Sequence, residues 1–172
     1  GTGGGEVANY EDLTYEVFGP HGVAILVECS TDSRNRTAAA IRRLLSEKGG
    51  TLATTGGVTR LFQRKGQIIV SREAAREDQL LEIALEAGAE DFKAEPQGYE
   101  ILTEPGRFEA VHQAIEGKGV KCASAEVTYL PAQTVPVAGE AEASVTRLLD
   151  ALEDEDDVKE VHSNAEFPEE GD

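Results

Sequence analysis

The order of the predicted secondary-structure elements constrains the fold of this chain more than any other feature of its sequence. Between residues 66 and 128, hydrophobic periodicity and glycine or proline turns predict strand, helix, strand, strand, helix and strand. This order is that of a ferredoxin-like unit. A strand, a helix and a strand precede it, and the same three elements follow it. If these flanking elements pair with one another, the chain forms two units of similar kind, one inserted into the other.

The individual elements follow from short apolar runs and their boundaries. Residues 15–18 and 23–29 are predicted strands around a Gly-Pro-His-Gly turn, and residues 36–48 are a predicted helix that ends at a glycine pair. The remaining predictions are strands at 58–62 and 67–70 joined by a turn at Arg64, Lys65 and Gly66, a helix at 73–87, a hairpin of 91–95 and 99–103, a helix at 105–116 capped by Thr103, strands at 120–130 and 134–137, a helix through Leu152 and a strand at 158–163.

These elements predict an α/β (α+β) protein with two ferredoxin-like α/β lobes, the second inserted into the first. A chain of 172 residues is long enough to bury two such cores. The expected boundaries are a linker remnant at 1–12, an outer domain at 13–63 and 131–167, an inserted domain at 64–130 and an acidic tail at 168–172. The glycine-rich start without methionine indicates a piece of a longer protein, joined at a flexible segment.

Charge is distributed unevenly along the chain. The net charge is −17, yet residues 31–72 alone carry +7, which leaves −24 elsewhere. A uniformly acidic surface would repel a phosphate backbone, so general affinity for nucleic acid is not expected of this chain as a whole. Two interpretations of the basic region stay open. Either basic residues cluster by chance in a solvated region, or the molecule is polarised, with one cationic face.

Several classes of chemistry lack support in the sequence. No apolar run reaches the ~20 residues of a membrane helix. Cys29 and Cys122 form no CxxC pair, and the three histidines lack zinc-site spacing, so His112 is interpreted as a helix-boundary residue and both cysteines as packed strand residues. The acidic run at 153–157 lacks the pattern of a calcium loop, and Thr-Thr-Gly-Gly at 54–57 lacks the lysine of a P-loop. We therefore predict no catalytic residue, no metal site, no cofactor and a cytoplasmic location.

The segment Thr-Asp-Ser-Arg-Asn-Arg-Thr at 31–37 is the most informative motif. It precedes a predicted helix, whose free N–H groups favour anions. One interpretation is a capping loop in which an aspartate neutralises an arginine; the other is contact with a phosphate backbone. The motif-loop residues are Thr31, Asp32, Ser33 and Asn35, of which the last three are candidate caps. The candidate nucleic-acid-binding residues are Arg34, Arg36, Arg42, Arg43, Arg60, Arg64 and Lys65.

Motifs along nearly the whole chain resemble the YebC/PmpR family. They are Tyr15-Glu16, the 19–24 turn, the 31–37 loop, Gly49-Gly50, Gly57-Val58, Phe62, the 88–91 turn, the 126–131 segment, and residues 152–158 with Val161 and Asn164. Two positions depart from the family pattern. Ser33 stands where asparagine is usual but keeps a capping oxygen, and Val17-Phe18 stands where glycine and an aromatic or similar residue are usual.

The resemblance implies a three-domain protein whose N-terminal helical domain, rich in Lys and Arg, is missing here. The family includes bacterial proteins called transcriptional regulators and the mitochondrial translational activator of cytochrome c oxidase subunit I. The resemblance thus implies a non-enzymatic, DNA-binding transcriptional regulator or, alternatively, a ribosome-associated translation factor that assists synthesis of proline-rich stretches. The expected partners are promoter DNA or ribosomal RNA, bound mostly through the missing domain, and the ribosome. Membranes and small-molecule substrates are not expected. An adaptor that uses its acidic face toward a basic protein is a third class.

Overall fold

The computed structural model describes residues 9–168, which form two compact units. The outer unit combines the chain up to Phe62 with the chain from Pro131 onward, and the inserted unit is Gln63–Leu130. Most of the predicted linker remnant (residues 1–8) and most of the predicted acidic tail (residues 169–172) lie outside the described residues.

The elements alternate between short strands and helices of 10 to 15 residues. In chain order they are β1 (Glu11–Phe18), β2 (Ala24–Thr31), α1 (Arg34–Lys48), β3 (Thr51–Leu52), β4 (Phe62–Ser71), α2 (Glu77–Ala87), β5 (Asp91–Glu95), β6 (Gly98–Thr103), α3 (Phe108–Gly117), β7 (Ser124–Pro131), β8 (Val135–Pro136), α4 (Glu140–Glu153), β9 (Val158–Ser163) and β10 (Ala165–Glu166). Single 3-10 turns occupy Pro20–Gly22, Thr59–Leu61, Arg72–Ala74 and Pro105–Arg107.

The outer unit is a four-stranded sheet with the order β3-β1-β2-β9, and helices α1 and α4 contribute to its core. Both neighbours of β2 run antiparallel to it. The prediction that residues 23–29 and 158–163 share one sheet is therefore confirmed. Alternate side chains of β2, such as Ile25 and Val27, enter the core with the helices, whereas Leu26 lies on the opposite face and is equally buried. Burial on both faces explains why this strand is apolar nearly throughout.

The inserted unit is a second four-stranded sheet, with the order β5-β6-β4-β7, and its core includes residues of α2 and α3. This strand order and the strand–helix–strand–strand–helix–strand sequence are those of a ferredoxin-like unit. The predicted fold class, mixed α/β with two lobes, is confirmed. The predicted hairpin of 91–95 and 99–103 is also confirmed, since β5 and β6 pair antiparallel over those residues.

Some predicted boundaries are wrong. Residues 58–62 are not a strand, because Thr59–Leu61 is a 3-10 turn, and Arg64 and Lys65 lie inside β4 rather than in a turn. Gly66 is needed for packing: a Cβ at this position would lie 2.8 Å from the Phe108 ring. Glycine here reflects close approach of a neighbouring side chain, not a reversal of the chain.

Other elements begin earlier or later than predicted. Strand β1 starts at Glu11, so two residues assigned to the linker belong to the sheet. The 3-10 turns at Arg72–Ala74 and Pro105–Arg107 delay the starts of α2 and α3. Thr103 does not cap α3, because the N-cap position of this helix is Arg107; the Thr103 hydroxyl donates to the Glu104 carbonyl oxygen at 2.7 Å.

Candidate nucleic-acid interface

The 31–37 loop leads from β2 into α1 and caps that helix. The Arg36 N–H donates to Ser33 Oγ at 3.3 Å, and the Ser33 N–H donates to Thr31 Oγ1 at 2.9 Å. Ser33 is thus the cap among the three candidates, while Asn35 is an exposed residue of the first turn and Asp32 serves an arginine instead. One first-turn N–H group of α1, that of Arg36, is therefore already engaged by the loop that precedes the helix.

Arg36 is held by carboxylates of the protein itself. Its guanidinium donates to Asp157 Oδ1 at 3.0 Å and Oδ2 at 3.3 Å, and to Asp32 Oδ1 at 3.0 Å. The Thr37 hydroxyl also donates to Asp157, at 2.7 Å. The Asp157 side chain is only 11% exposed. Hydrogen bonds from Arg36 and then from Thr37 lower the pKa of Asp157 below its ordinary value. This contact favours the capping interpretation for Arg36.

Arg34 forms a single, solvent-exposed ion pair. Its guanidinium lies 2.8 Å from a Glu11 carboxylate oxygen, and the two side chains are 64% and 43% exposed. An ion pair this exposed to water contributes about 0–1 kcal/mol at most. Arg34 can therefore exchange Glu11 for an external anion at small cost.

Three predicted cations of the outer unit are exposed and have no ion pair among residues 9–168. Arg42 and Arg43 are adjacent on α1, and Arg60 lies in the 3-10 turn Thr59–Leu61. On α1 the buried residues, such as Ile41 and Leu44, define the opposite stripe of the helix. Positive charge without a carboxylate partner thus lies on the solvent-facing side of α1 and in the turn.

The last two predicted cations belong to the inserted unit. Arg64 lies over the Tyr129 ring, with its guanidinium carbon 5.2 Å from the ring centroid. Lys65 Nζ lies 2.7 and 2.8 Å from the two carboxylate oxygens of Glu90, and its side chain is 18% exposed. Lys65 is therefore compensated, whereas Arg64 keeps its charge in an aromatic contact. The seven predicted residues are divided between the two units.

A residue that the sequence interpretation missed is Glu16, on β1. Its carboxylate accepts backbone N–H groups of Gly56, Val58 and Thr59, each at 2.8 Å. Burial opposes its ionisation, but these hydrogen bonds outweigh burial and lower the pKa of Glu16 from 4.5 to about 2. Residues 56–59, at the end of the Thr-Thr-Gly-Gly stretch and directly after it, thus form a turn whose N–H groups bind an anion. The anion that fills it is the protein's own carboxylate, about 40 residues earlier in the chain.

Cys29 lies beside the 31–37 loop but is not available for chemistry. Its side chain has no solvent exposure. Burial, followed by the charges of Asp157 and Glu155, raises the pKa of the Cys29 thiol to about 11. It packs in the sheet core as a small apolar residue, as the sequence predicts. Among residues 9–168, no helix is long and apolar enough to cross a membrane.

Comparison with known proteins gives matches over nearly the whole chain. A family model described as "TACO1/YebC second and third domain" matches residues 10–165. A "Probable transcriptional regulatory protein" of Pelotomaculum thermopropionicum is 48% identical over 169 residues, which is 97% of this chain and 70% of that protein. A protein of the same name from Clostridium tetani is 47% identical over 171 residues, 99% of this chain and 70% of that protein.

The fold also matches a solved structure. The crystal structure of a conserved hypothetical protein from Aquifex aeolicus superposes with a TM-score of 0.84 at 40% sequence identity. The match covers 96% of this chain and 68% of that protein. The chain thus corresponds to about 70% of the length of each of these relatives.

Proposed function

This chain belongs to the TACO1/YebC family, as its motifs predicted, and on that premise we propose that it is a non-enzymatic regulator of gene expression that binds promoter DNA. The relatives carry the name "Probable transcriptional regulatory protein", which supports regulation of gene expression as the class of function. The observation that carries the binding proposal is the group of exposed arginines without ion pairs on α1 and in the Thr59–Leu61 turn: Arg42, Arg43 and Arg60.

These arginines suit phosphate contacts of short range. Lysine and arginine side chains bind a nucleic-acid backbone by displacing its condensed counterions. The net charge of −17 opposes attraction at a distance, so this chain depends on direct contact rather than electrostatic steering. Arg34 adds a fourth cation at the start of α1, since its surface pair with Glu11 is weak. We expect modest affinity from this chain and stronger binding by full-length relatives.

Covalent chemistry is not part of the proposal. A nucleophilic cysteine needs access to substrate and a lowered pKa, and Cys29 has neither. The 31–37 loop beside it engages its polar groups in capping α1 and in holding Arg36. These contacts give the loop a structural role at the start of α1.

One observation favours a second function, that of a ribosome-associated translation factor. Duplex-binding domains commonly carry a broad basic face, whereas the outer unit has only four exposed arginines without ion pairs among its described residues: Arg42, Arg43, Arg60 and Arg147. A factor that docks on ribosomal RNA and protein needs only a few local phosphate contacts. Cross-linking of the tagged full-length protein in cells separates the two functions, because recovery of promoter DNA supports the first and recovery of ribosomal RNA supports the second.

The binding surface is tested with two charge-matched double variants of the full-length protein. In the first, Arg42→Glu and Arg43→Glu reverse the exposed pair on α1. In the second, Arg76→Glu and Arg147→Glu make the same change of net charge at exposed residues elsewhere. Arg36 is left unchanged, because its replacement would also break the contacts with Asp157.

We expect only the α1 variant to weaken binding to duplex DNA across sequences. If both arginines contact phosphate, the slope of log affinity against log salt becomes shallower by roughly 2. Thermal melts of both variants provide the folding control. Equal losses in the two variants would show that only net charge matters. Unchanged affinity and slope in the α1 variant would contradict the proposed surface.

A further inference from the structure

The inserted unit brings three different metal-ligating groups together at one end of α3. His112 and Glu116 are four residues apart on the helix, and Cys122 lies in the segment that leads to β7. One ligand atom from each side chain lies within 4.8 Å of the other two. His112 Nε2 and a Glu116 carboxylate oxygen are already 3.2 Å apart. The cluster thus offers an imidazole nitrogen, a carboxylate oxygen and a sulfur.

The surrounding contacts hold these groups in place. The His112 ring stacks on the Phe108 ring, with centroids 5.4 Å apart and an interplanar angle of 28°. On the other side, Cys122 is flanked by two anchored residues. Val120 is buried, and the Ala123 N–H donates to the Ile69 carbonyl oxygen of β4 at 2.7 Å. The donors therefore lie on supported backbone rather than on a free loop, as a binding site requires.

We propose that His112, Glu116 and Cys122 form a Zn²⁺-binding site of the inserted unit. Zn²⁺ accepts mixed nitrogen, oxygen and sulfur ligands in tetrahedral geometry, with bonds of roughly 2.0–2.3 Å. Donors bound to one such ion lie roughly 3–4 Å apart, so the cluster needs only a small closure. Three protein ligands leave a fourth position for water. On binding, the Cys122 thiol loses its proton to solvent and the thiolate donates to the metal.

The bound ion would join the end of α3 to the segment before β7. That segment continues into the strand next to β4 in the sheet. Zn²⁺ would therefore stabilise the folded inserted unit, because binding to the native state alone shifts the folding equilibrium by mass action. The role is structural and independent of nucleic-acid binding by the outer unit.

A second cluster, in the outer unit, has to be distinguished from this one. Glu28, Glu160 and His162 also place ligand atoms within 4.8 Å of one another. His162 Nε2 already lies 2.5 Å from a Glu28 oxygen, and the cluster contains no sulfur. A spectroscopic signal from metal-bound sulfur therefore distinguishes the cluster of the inserted unit from that of the outer unit.

Titration of the reduced full chain with Co²⁺ uses this signature, because a cysteine thiolate bound to Co²⁺ gives a near-ultraviolet charge-transfer band. We expect the band to saturate at one equivalent and to be displaced by Zn²⁺. The variants Cys122→Ser and His112→Ala should bind Co²⁺ at least about tenfold more weakly than the wild type. Cys122→Ser should also lose the charge-transfer band. Zn²⁺ should raise the melting temperature of the wild type and leave that of Cys122→Ser unchanged.

Two matched variants are the controls: Cys29→Ala removes the other cysteine, and His162→Ala disrupts the outer cluster. Both should keep the band and the Co²⁺ affinity. Absence of a charge-transfer band in the wild type would overturn the proposal. So would a band that survives in Cys122→Ser or disappears in Cys29→Ala with thermal melts unchanged.

Discussion

The outer and inserted units differ in the sequence separation of the groups that hold them together. In the outer unit, Arg36 and Asp157 are 121 residues apart, and the Ala24 N–H donates to Asn164 Oδ1 across 140 residues. In the inserted unit, the pair Lys65 and Glu90 spans only 25 residues. The outer unit is assembled from two distant segments, whereas the inserted unit is continuous.

This difference indicates where polar contacts matter most. Strand β9 has to find β2 after the whole insertion, and closing a long loop costs conformational entropy. The buried contacts of Asn164 and Asp157 secure the end of the chain to the first strands and to α1. The inserted unit joins its strands through a hairpin and helical crossovers. We therefore expect polar substitutions and acid to affect the outer unit more strongly.

The largest expected effect is a cavity in the outer core. Leu148 of α4 is fully buried above Gly19 and Gly50, which have no side chains to refill the space. Leu148→Ala should cost about 3–4 kcal/mol of unfolding free energy. The matched change in the inserted core is Leu80→Ala. Hydrogen exchange should show each loss of protection mainly in the unit that carries the substitution. Equal loss in both units from either variant would break the comparison.

The second effect concerns the ion pair of Arg36 and Asp157, which joins the two chain segments of the outer unit. Asp157→Asn removes the negative charge that Arg36 and the Thr37 hydroxyl engage, so we expect a loss of about 2–3 kcal/mol at pH 7. Denaturant unfolding measures it. Because the pKa of Asp157 is lowered in the folded protein, the difference from wild type should shrink as pH falls below the ordinary aspartate range. A constant difference down to low pH would show that charge is not its cause.

The third effect is the pH dependence of the Glu16 anchor. The pKa of Glu16 falls from 4.5 to about 2 on folding, so its ionisation stabilises the protein above pH 4.5, and this contribution is lost as pH falls through 2. Glu16→Gln should cost about 1–2 kcal/mol at pH 7 and progressively less between pH 4.5 and 2. Unfolding curves of both proteins at several pH values test this. The control is Glu90→Gln, whose difference from wild type should stay small throughout.

The smallest effect is expected for the ion pair of the inserted unit. Glu90 is 44% exposed, and its contact with Lys65 closes a short segment. Glu90→Gln should change the unfolding free energy by about 0–1 kcal/mol, and added salt should reduce the difference further. Chemical denaturation at low and high salt measures it. A loss as large as that of Asp157→Asn would contradict the distinction drawn between the units.

Local features were predictable where neighbouring residues decide them. Ser33 precedes a helical stretch and caps it, and Gly49 ends the same helix with a φ of 91°. The 91–95 and 99–103 hairpin follows from two short strands around a turn. Gly66 misled the prediction, because a Cβ at this position would clash with Thr103 and Phe108, two residues far along the chain. Propensity identifies a turn residue but not a close tertiary contact.

The sequence by itself determined the order of the elements in the inserted unit, the burial of β2 and the family, because periodicity and motifs are properties of neighbouring residues. Only the tertiary structure decided the state of each charge. Arg36 and Arg43 are two turns apart on one helix, yet Asp157 compensates the first, while the second is exposed without an ion pair among the described residues. Tertiary structure likewise places the Glu16 carboxylate in the anion-binding turn and Cys122 beside His112. Electrostatic and ligand interactions depend on distances of a few ångströms in space, which spacing along the chain does not encode.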